Sequence, residues 1–326
     1  MSGQPSHRPR LHKNSTMTTI DRGIYIVAND RVFDNTIALL NSIKAHSPNL
    51  RIALIPYSAE YEKLLEYTRG EYGVELHADL AAIDGVMSET YEAWCGPDSP
   101  PSQGIKLMNK FGCWFGQFDE FLYIDTDIVV FRDLEPYFEH FQTADFIHND
   151  YQSNTGIEFV FKQPILDDGV IGAADVKRIF NAGFFGSKRS AMTRESLRDM
   201  LQDSAAHPQY FYPRYLDQCL LNYWVQRSKV SVLNIAKTPA EGAGSWAGSS
   251  RFEKRDGRLF DPNADRPVSY LHWAGFPIDP DAPYWEEWLY YRRLRDESYE
   301  FVAQPKPKRG LLDRLKAKVK RLADNG

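Results

Sequence analysis

The sequence predicts an α/β protein built on a mixed, mostly parallel sheet flanked by helices. Three observations carry that expectation. Short β-branched runs alternate with helical patterns through about the first hundred residues. One apolar strand ends directly in two aspartates, the place where open α/β sheets bind ligands. The chain has 326 residues, 43% apolar and 25% charged, which suits one large or two small globular domains and excludes a disordered or fibrous chain.

The elements follow in order. Ile24–Ala28 (IYIVA) is a buried-strand pattern. Asp34 or Asn35 can cap a helix lined by Ile37, Leu40 and Ile43 and stopped by Ser47-Pro48. Arg51–Pro56 (RIALIP) reads as a second strand, Ala59–Arg69 as a helix closed by Gly70, and Val74–His77 as a third strand. Lys106–Gln117 reads as a helix before the strand Phe121–Ile124, with Asp125 and Asp127 at its end. Asn149–Ala174 is irregular and polar. Phe180–Ser187 is strand-like, Asp217–Arg227 a helix, and Val230–Leu233 and Val268–His272 strands. Lys237–Pro267, rich in Gly, Ser, Pro and charge, is expected to be a long mobile loop. The expected organisation is a flexible N-terminal segment (residues 1–19), one folded domain (20–300) and a tail (305–326).

Charge and cysteine usage narrow the function classes. The net charge is −5, yet residues 305–326 hold eight basic and two acidic side chains, leaving −11 on the remainder. An acidic body argues against nucleic acid as a partner. Within the tail, Leu311, Leu315, Val319 and Leu322 form one apolar helical stripe among basic residues, a pattern that suits an amphipathic helix at an anionic membrane face, and also a helix docked on its own domain or a solvated tail. Cys95, Cys113 and Cys219 are odd in number and form no CxxC, which points to a reduced, cytoplasmic setting. No apolar run approaches the length of a membrane span, and the N-terminus lacks the apolar core of a secretory signal.

The segment FLYIDTDIVV carries the chemistry. Two carboxylates at i and i+2, where a chain leaves a strand, can converge on one hard divalent cation shared with substrate phosphates. Read alone, Asp125 and Asp127 also suit a simple turn. A haloacid-dehalogenase-like phosphatase uses a similar pattern, with Asp167-Asp168 as a candidate later motif. That motif normally opens its domain, however, and small turn residues follow it where this chain has Ile128-Val129-Val130.

Several segments, in order, resemble the glycosyltransferase family 8 group, most closely its glycogenin-like branch. They are Asn29-Asp30 after the first strand, KFGCW (Lys110–Trp114), YIDTD (Tyr123–Asp127), FNAGFF (Phe180–Phe185), LDQCLLN (Leu216–Asn222) and YLHWAG (Tyr270–Gly275). The resemblance spans roughly Ile24 to Trp285. It implies a GT-A fold, a nucleotide-diphospho-sugar donor (UDP-sugar in most members), manganese or magnesium, and transfer with retention of configuration. Carried over by position, Asp125, Asp127 and His272 would hold the metal. Asn29 and Asp30 would face the nucleoside, and Lys110, with Asp125 and Thr126, the diphosphate. Asn181, Asp217 and Gln218 would stand at the donor sugar as catalytic candidates.

Without the resemblance, His272 also reads as a core histidine, Asn181 as a turn residue, Asp217 as a helix cap and Lys110 as a solvated lysine. The chain departs from the family at Gly275-Phe276-Pro277-Ile278-Asp279-Pro280, where a diphosphate-binding lysine followed by Pro-Trp is usual. The expectation is that Lys110, or the loop after Lys237, compensates. The acceptor, whether glycan, lipid-linked or protein, is not written in the sequence. The aromatics of Tyr284–Tyr291 suit sugar stacking or the packing of a final helix. A non-catalytic sugar-nucleotide-binding protein on the same fold is the alternative to an enzyme.

Overall fold

The computed structural model describes residues 20–95, 103–149, 156–238, 243–249 and 251–303. The N-terminal segment 1–19 and the tail 305–326 lie outside the described residues.

Strand β1 (Arg22–Ala28) is apolar and buried on both faces, as a central parallel strand must be. A 3-10 turn (Asp30–Val32), capped by the Asn29 side chain, leads into α1 (Phe33–His46). Asp34 therefore does not cap α1; it accepts from Arg292 at 2.9 Å. After β2 (Arg51–Pro56), α2 (Glu62–Tyr72) runs through Gly70. Gly73, in the left-handed conformation at φ 69°, closes it by donating to the Arg69 and Thr68 carbonyls. β3 (Glu75–Leu76) and α3 (Leu80–Trp94) complete this half, with the Asp79 carboxylate capping α3.

The expected helix Lys106–Gln117 is mostly not α-helical. A single turn, α4 (Gln103–Lys106), passes into a 3-10 stretch over Leu107–Phe115. Its residues from Met108 to Trp114 are buried, so tertiary packing outweighs helix propensity there. β4 (Glu120–Ile124) is wholly buried and ends at Asp125, and β5 (Ile128–Val130) follows directly. The irregular region after β6 (Phe146–His148) contains only the single turns α5 (Pro164–Asp167) and α6 (Ala173–Val176) among its described residues. β7 (Phe184–Lys188), α7 (Arg194–Ala205), α8 (Leu216–Arg227) and β8 (Val232–Asn234) finish the main body.

Among its described residues, the stretch expected as a mobile loop contains several strands. β9 (Ala243–Trp246), the hairpin β10 (Glu253–Arg255) and β11 (Arg258–Asp261), and the start of β12 (Arg266–His272) all fall in it. Their polar, glycine-bearing sequences lack strand periodicity. It is pairing, of β9 and β11 with the apolar β12 and of β10 with β11, that makes them strands. α9 (Trp285–Arg293) closes the chain.

Seven strands form the main sheet in the order β3-β2-β1-β4-β7-β6-β8, with β7 antiparallel to both neighbours and the other pairings parallel. A second sheet runs β10-β11-β12-β5, with β9 beside β12. Two apolar clusters cover the main sheet, one on each face, and a third lies between the second sheet and α9. Trp285, Trp288 and Tyr291 belong to that third core, so the aromatics of the last helix serve chiefly to pack it. No helix among the described residues is long and apolar enough to cross a membrane.

Candidate functional site

The Asp125–Asp127 turn is where the chain passes from the main sheet to the second one, and two strand pairings assemble a site around it. Antiparallel pairing of β4 with β7 sets Ile124 opposite Phe184, and the Asp125 amide donates to the Gly183 carbonyl at 2.8 Å. This carries the turn Asn181–Gly183 to the first aspartate. Antiparallel pairing of β5 with β12 sets His272 opposite Ile128, and the Trp273 amide donates to the Asp127 carbonyl at 3.0 Å. This carries His272, far along the chain, to the second aspartate.

The Nε2 of His272 lies 3.1 Å from Asp127 Oδ1 and 3.8 Å from Asp125 Oδ2. Ligand atoms of the three residues all fall within 4.8 Å of one another. Burial disfavours a charge on His272, but Asp127 and Asp125 outweigh it and hold the imidazole above its ordinary value. Burial likewise works against the Asp127 charge, yet His272 keeps that carboxyl below the usual range. Asp125 goes the other way: burial raises it, and Lys110 offsets only part of the rise. A cluster of anionic oxygens and one imidazole, held this close, is a donor set that fits manganese or magnesium. Thr126 sits between the aspartates, partly exposed.

Lys110 is not a solvated residue. It is 2% exposed, with Nζ 2.6 Å from Asp217 Oδ2, 3.7 Å from Asp125 Oδ1, and donating to the Ala182 carbonyl at 3.4 Å. Burial alone would lower its pKa; Asp125 and Asp217 reverse that and raise it. The Tyr123 hydroxyl donates to the same Asp125 oxygen. Asp217, for its part, makes no helix cap: the start of α8 has no side-chain capping bond. Lys110 thus ties the Asp125 turn to α8. The ammonium expected to approach a diphosphate is already engaged by protein oxygens.

Asn181 and Gln218 meet: Asn181 Nδ2 donates to Gln218 Oε1 at 2.9 Å, and the Gly183 amide donates to Asn181 Oδ1. Asn222, one turn after Gln218, holds both the amide and the carbonyl of Phe180. A cavity of about 620 Å³ opens at the carboxyl ends of β1 and β2, lined by Asn29, Tyr57, Ser58, Lys106 and Asn109 among others. Asn29 also donates to Ser58 Oγ. Asp30 does not line the cavity; its carboxylate accepts from the Leu64 amide at the start of α2. Lys106 is exposed and makes no ion pair with any described residue. A larger groove, about 1270 Å³, lies along α9 and β11 and includes none of these residues.

Solved structures with this architecture include the bifunctional glycosyltransferase WbbM, with a TM-score of 0.55 at 18% identity over 85% of this chain. The match spans 50% of the WbbM chain. The galactosyltransferase LgtC, solved with donor and acceptor sugar analogues, matches at a TM-score of 0.56 and 16% identity, over 87% of this chain and 98% of its own. An active-site mutant of LgtC matches at 0.57 and 17%, with the same coverage. The fold is that of the GT-A glycosyltransferases. No family model and no curated protein matches the chain.

On this GT-A frame the phosphatase alternative loses its second motif. Asp167 accepts from Gln163, Asp168 accepts from the Tyr210 hydroxyl, and neither joins the Asp125–Asp127–His272 cluster. Sequence reasoning did not single out Tyr123, Asn109 or Asn222. Asn109 donates to the Pro56 carbonyl at 2.7 Å and lines the cavity. Its one available signal was an amide inside a buried apolar run, beside Lys110.

Proposed function

We propose that the chain is a metal-dependent glycosyltransferase of the family 8 type. It would take a nucleotide-diphospho-sugar, with UDP-sugar as the leading donor, and transfer the sugar with retention of configuration. The observation that carries this reading is the cluster of Asp125, Asp127 and His272 at the exit of β4, close to the carboxyl-end cavity of β1 and β2. Motif order and GT-A fold support it.

In this reading Asn29 and Asn109 face the nucleoside in the cavity. Lys106 supplies the cation for the diphosphate, in place of the lysine missing after Gly275. Asp125, Asp127 and His272 hold manganese or magnesium, which supplies Lewis-acid charge to the leaving diphosphate. Asn181, Gln218 and Asp217 form the donor-sugar wall. Asn181 and Gln218 fix each other by their amide–amide bond, and Lys110 holds Asp217 and Asp125 in register. Pre-set polar groups of this kind stabilise developing charge without reorganising during the reaction.

The test is hydrolysis of UDP-sugars by the full chain, with and without EDTA, in wild type and Asp127→Ala. Activity is expected to fall by a hundredfold or more, roughly 2.7 kcal/mol, in either case. Full activity in EDTA would refute the reading. UDP binding with no turnover of any donor would favour a non-catalytic binding protein.

A further inference from the structure

We propose that Trp246 is the stacking platform for a pyranose ring of the acceptor. The proposal deepens the transferase reading and rests on it.

Trp246 stands apart from the other tryptophans. Trp114, Trp224, Trp273, Trp285 and Trp288 are buried, whereas Trp246 is 54% exposed. Scattered exposed apolar residues need no explanation, but a tryptophan this open beside a polar cluster does. Its position is set by strand pairing. β9 lies parallel to β12 with Trp246 matched to His272, and matched residues on paired strands project to the same face. Trp246 and His272 therefore occupy paired positions whose side chains leave the sheet on the same face.

The ring is also held. Its Nε1 donates to the Ala274 carbonyl at 3.0 Å, which satisfies the only polar atom of the indole. Phe276 packs against it with centroids 5.4 Å apart, tilted by 40°. On another side the six-membered ring lies over Gly248, where a Cβ would come within 2.4 Å of it. The segment that lacks the expected lysine thus contributes an aromatic wall instead. A pre-positioned aromatic face beside polar groups is the pattern that binds the apolar C–H face of a sugar at low entropic cost.

The donor's base has a different address. The cavity at the ends of β1 and β2 contains no residue of β9, and in strand order the Asp–Asp–His cluster stands between the two. A ring stacked on Trp246 accordingly lies on the acceptor side of the metal cluster.

The experiment is saturation-transfer NMR on the full chain with manganese and UDP. The probes are methyl β-D-galactopyranoside, methyl β-D-glucopyranoside and methyl α-D-mannopyranoside. UDP binding is measured in parallel by calorimetry. Wild type is expected to bind at least one pyranoside; Trp246→Ala should weaken it about three- to tenfold, and Trp246→Phe should keep most of it. Both variants should retain UDP binding. Equal pyranoside binding in Trp246→Ala, or no pyranoside binding by wild type, overturns the proposal. Loss of UDP binding in Trp246→Ala assigns the ring to the donor and overturns it too. Failure of wild type to bind UDP is the separate result that removes the transferase reading, and this proposal with it.

Discussion

Gly183 and Lys110 each hold the candidate site through one atom or its absence. At Gly183 any Cβ would meet His272 Cε1 at 2.2 Å and Asp125 Oδ2 at 2.9 Å, both parts of the cluster rather than the far ends of flexible side chains. Gly183→Ala is expected to lower manganese affinity about tenfold or more, as changes behind a metal ligand do. Calorimetric titration with manganese checks it, and an unchanged affinity would show that the cluster tolerates displacement. Lys110 neutralises two carboxylates in a place where its ammonium has almost no water. Lys110→Met removes one partner of a buried pair and should cost about 3–5 kcal/mol in urea unfolding. Adding Asp217→Leu should recover part of that loss, because the uncompensated charge is then gone.

Strand β6 contributes an acid-sensitive element. His148 is buried there, stacked on Phe180 with centroids 4.6 Å apart. Burial, helped by the Lys237 and Arg178 charges, lowers its pKa from 6.5 to about 3. Below 6.5 the unfolded chain binds a proton that the folded chain refuses until about 3, so stability falls as pH drops through that window. The slope from this one group approaches about 1.4 kcal/mol per pH unit. His148→Phe is expected to flatten the dependence of unfolding free energy on pH between 6 and 4. An unaltered slope would place the acid sensitivity in other groups. At the same scale, β9 to β11 show an element created by its neighbour: β12 supplies the apolar strand, and polar segments acquire strand geometry by bonding to it.

In the whole molecule the candidate metal site joins two sheets. Asp125 leaves the main sheet, and His272 ends a strand of the second. A cation bound only by the assembled site must stabilise the folded chain as a unit. Free manganese at a hundred times its dissociation constant should add about 2.7 kcal/mol, read as a rise in melting temperature that EDTA reverses. Asp127→Ala should abolish the rise. A manganese shift that persists in that variant would locate the ion elsewhere.

Local pattern was enough for the fold class and the main strands. β1, β2 and β4 are continuous apolar runs, and burial on both faces is written in such runs directly. The same holds for the aspartates at the end of β4, whose spacing and strand-end position are features of adjacent residues. The motif order also brought Asn181, Asp217 and His272 into view, each with a bland alternative. Only the tertiary structure decided that His272 faces both aspartates, that Lys110 is buried between Asp125 and Asp217, and that Asp30 bonds to α2 rather than lining the cavity. It alone converted a presumed loop into strands and set Trp246 beside His272. The reason is one of range: helix and strand periodicity are fixed by residues a few positions apart, whereas the register that seats His272 pairs it with Trp246, 26 residues away, and with Ile128, 144 residues away.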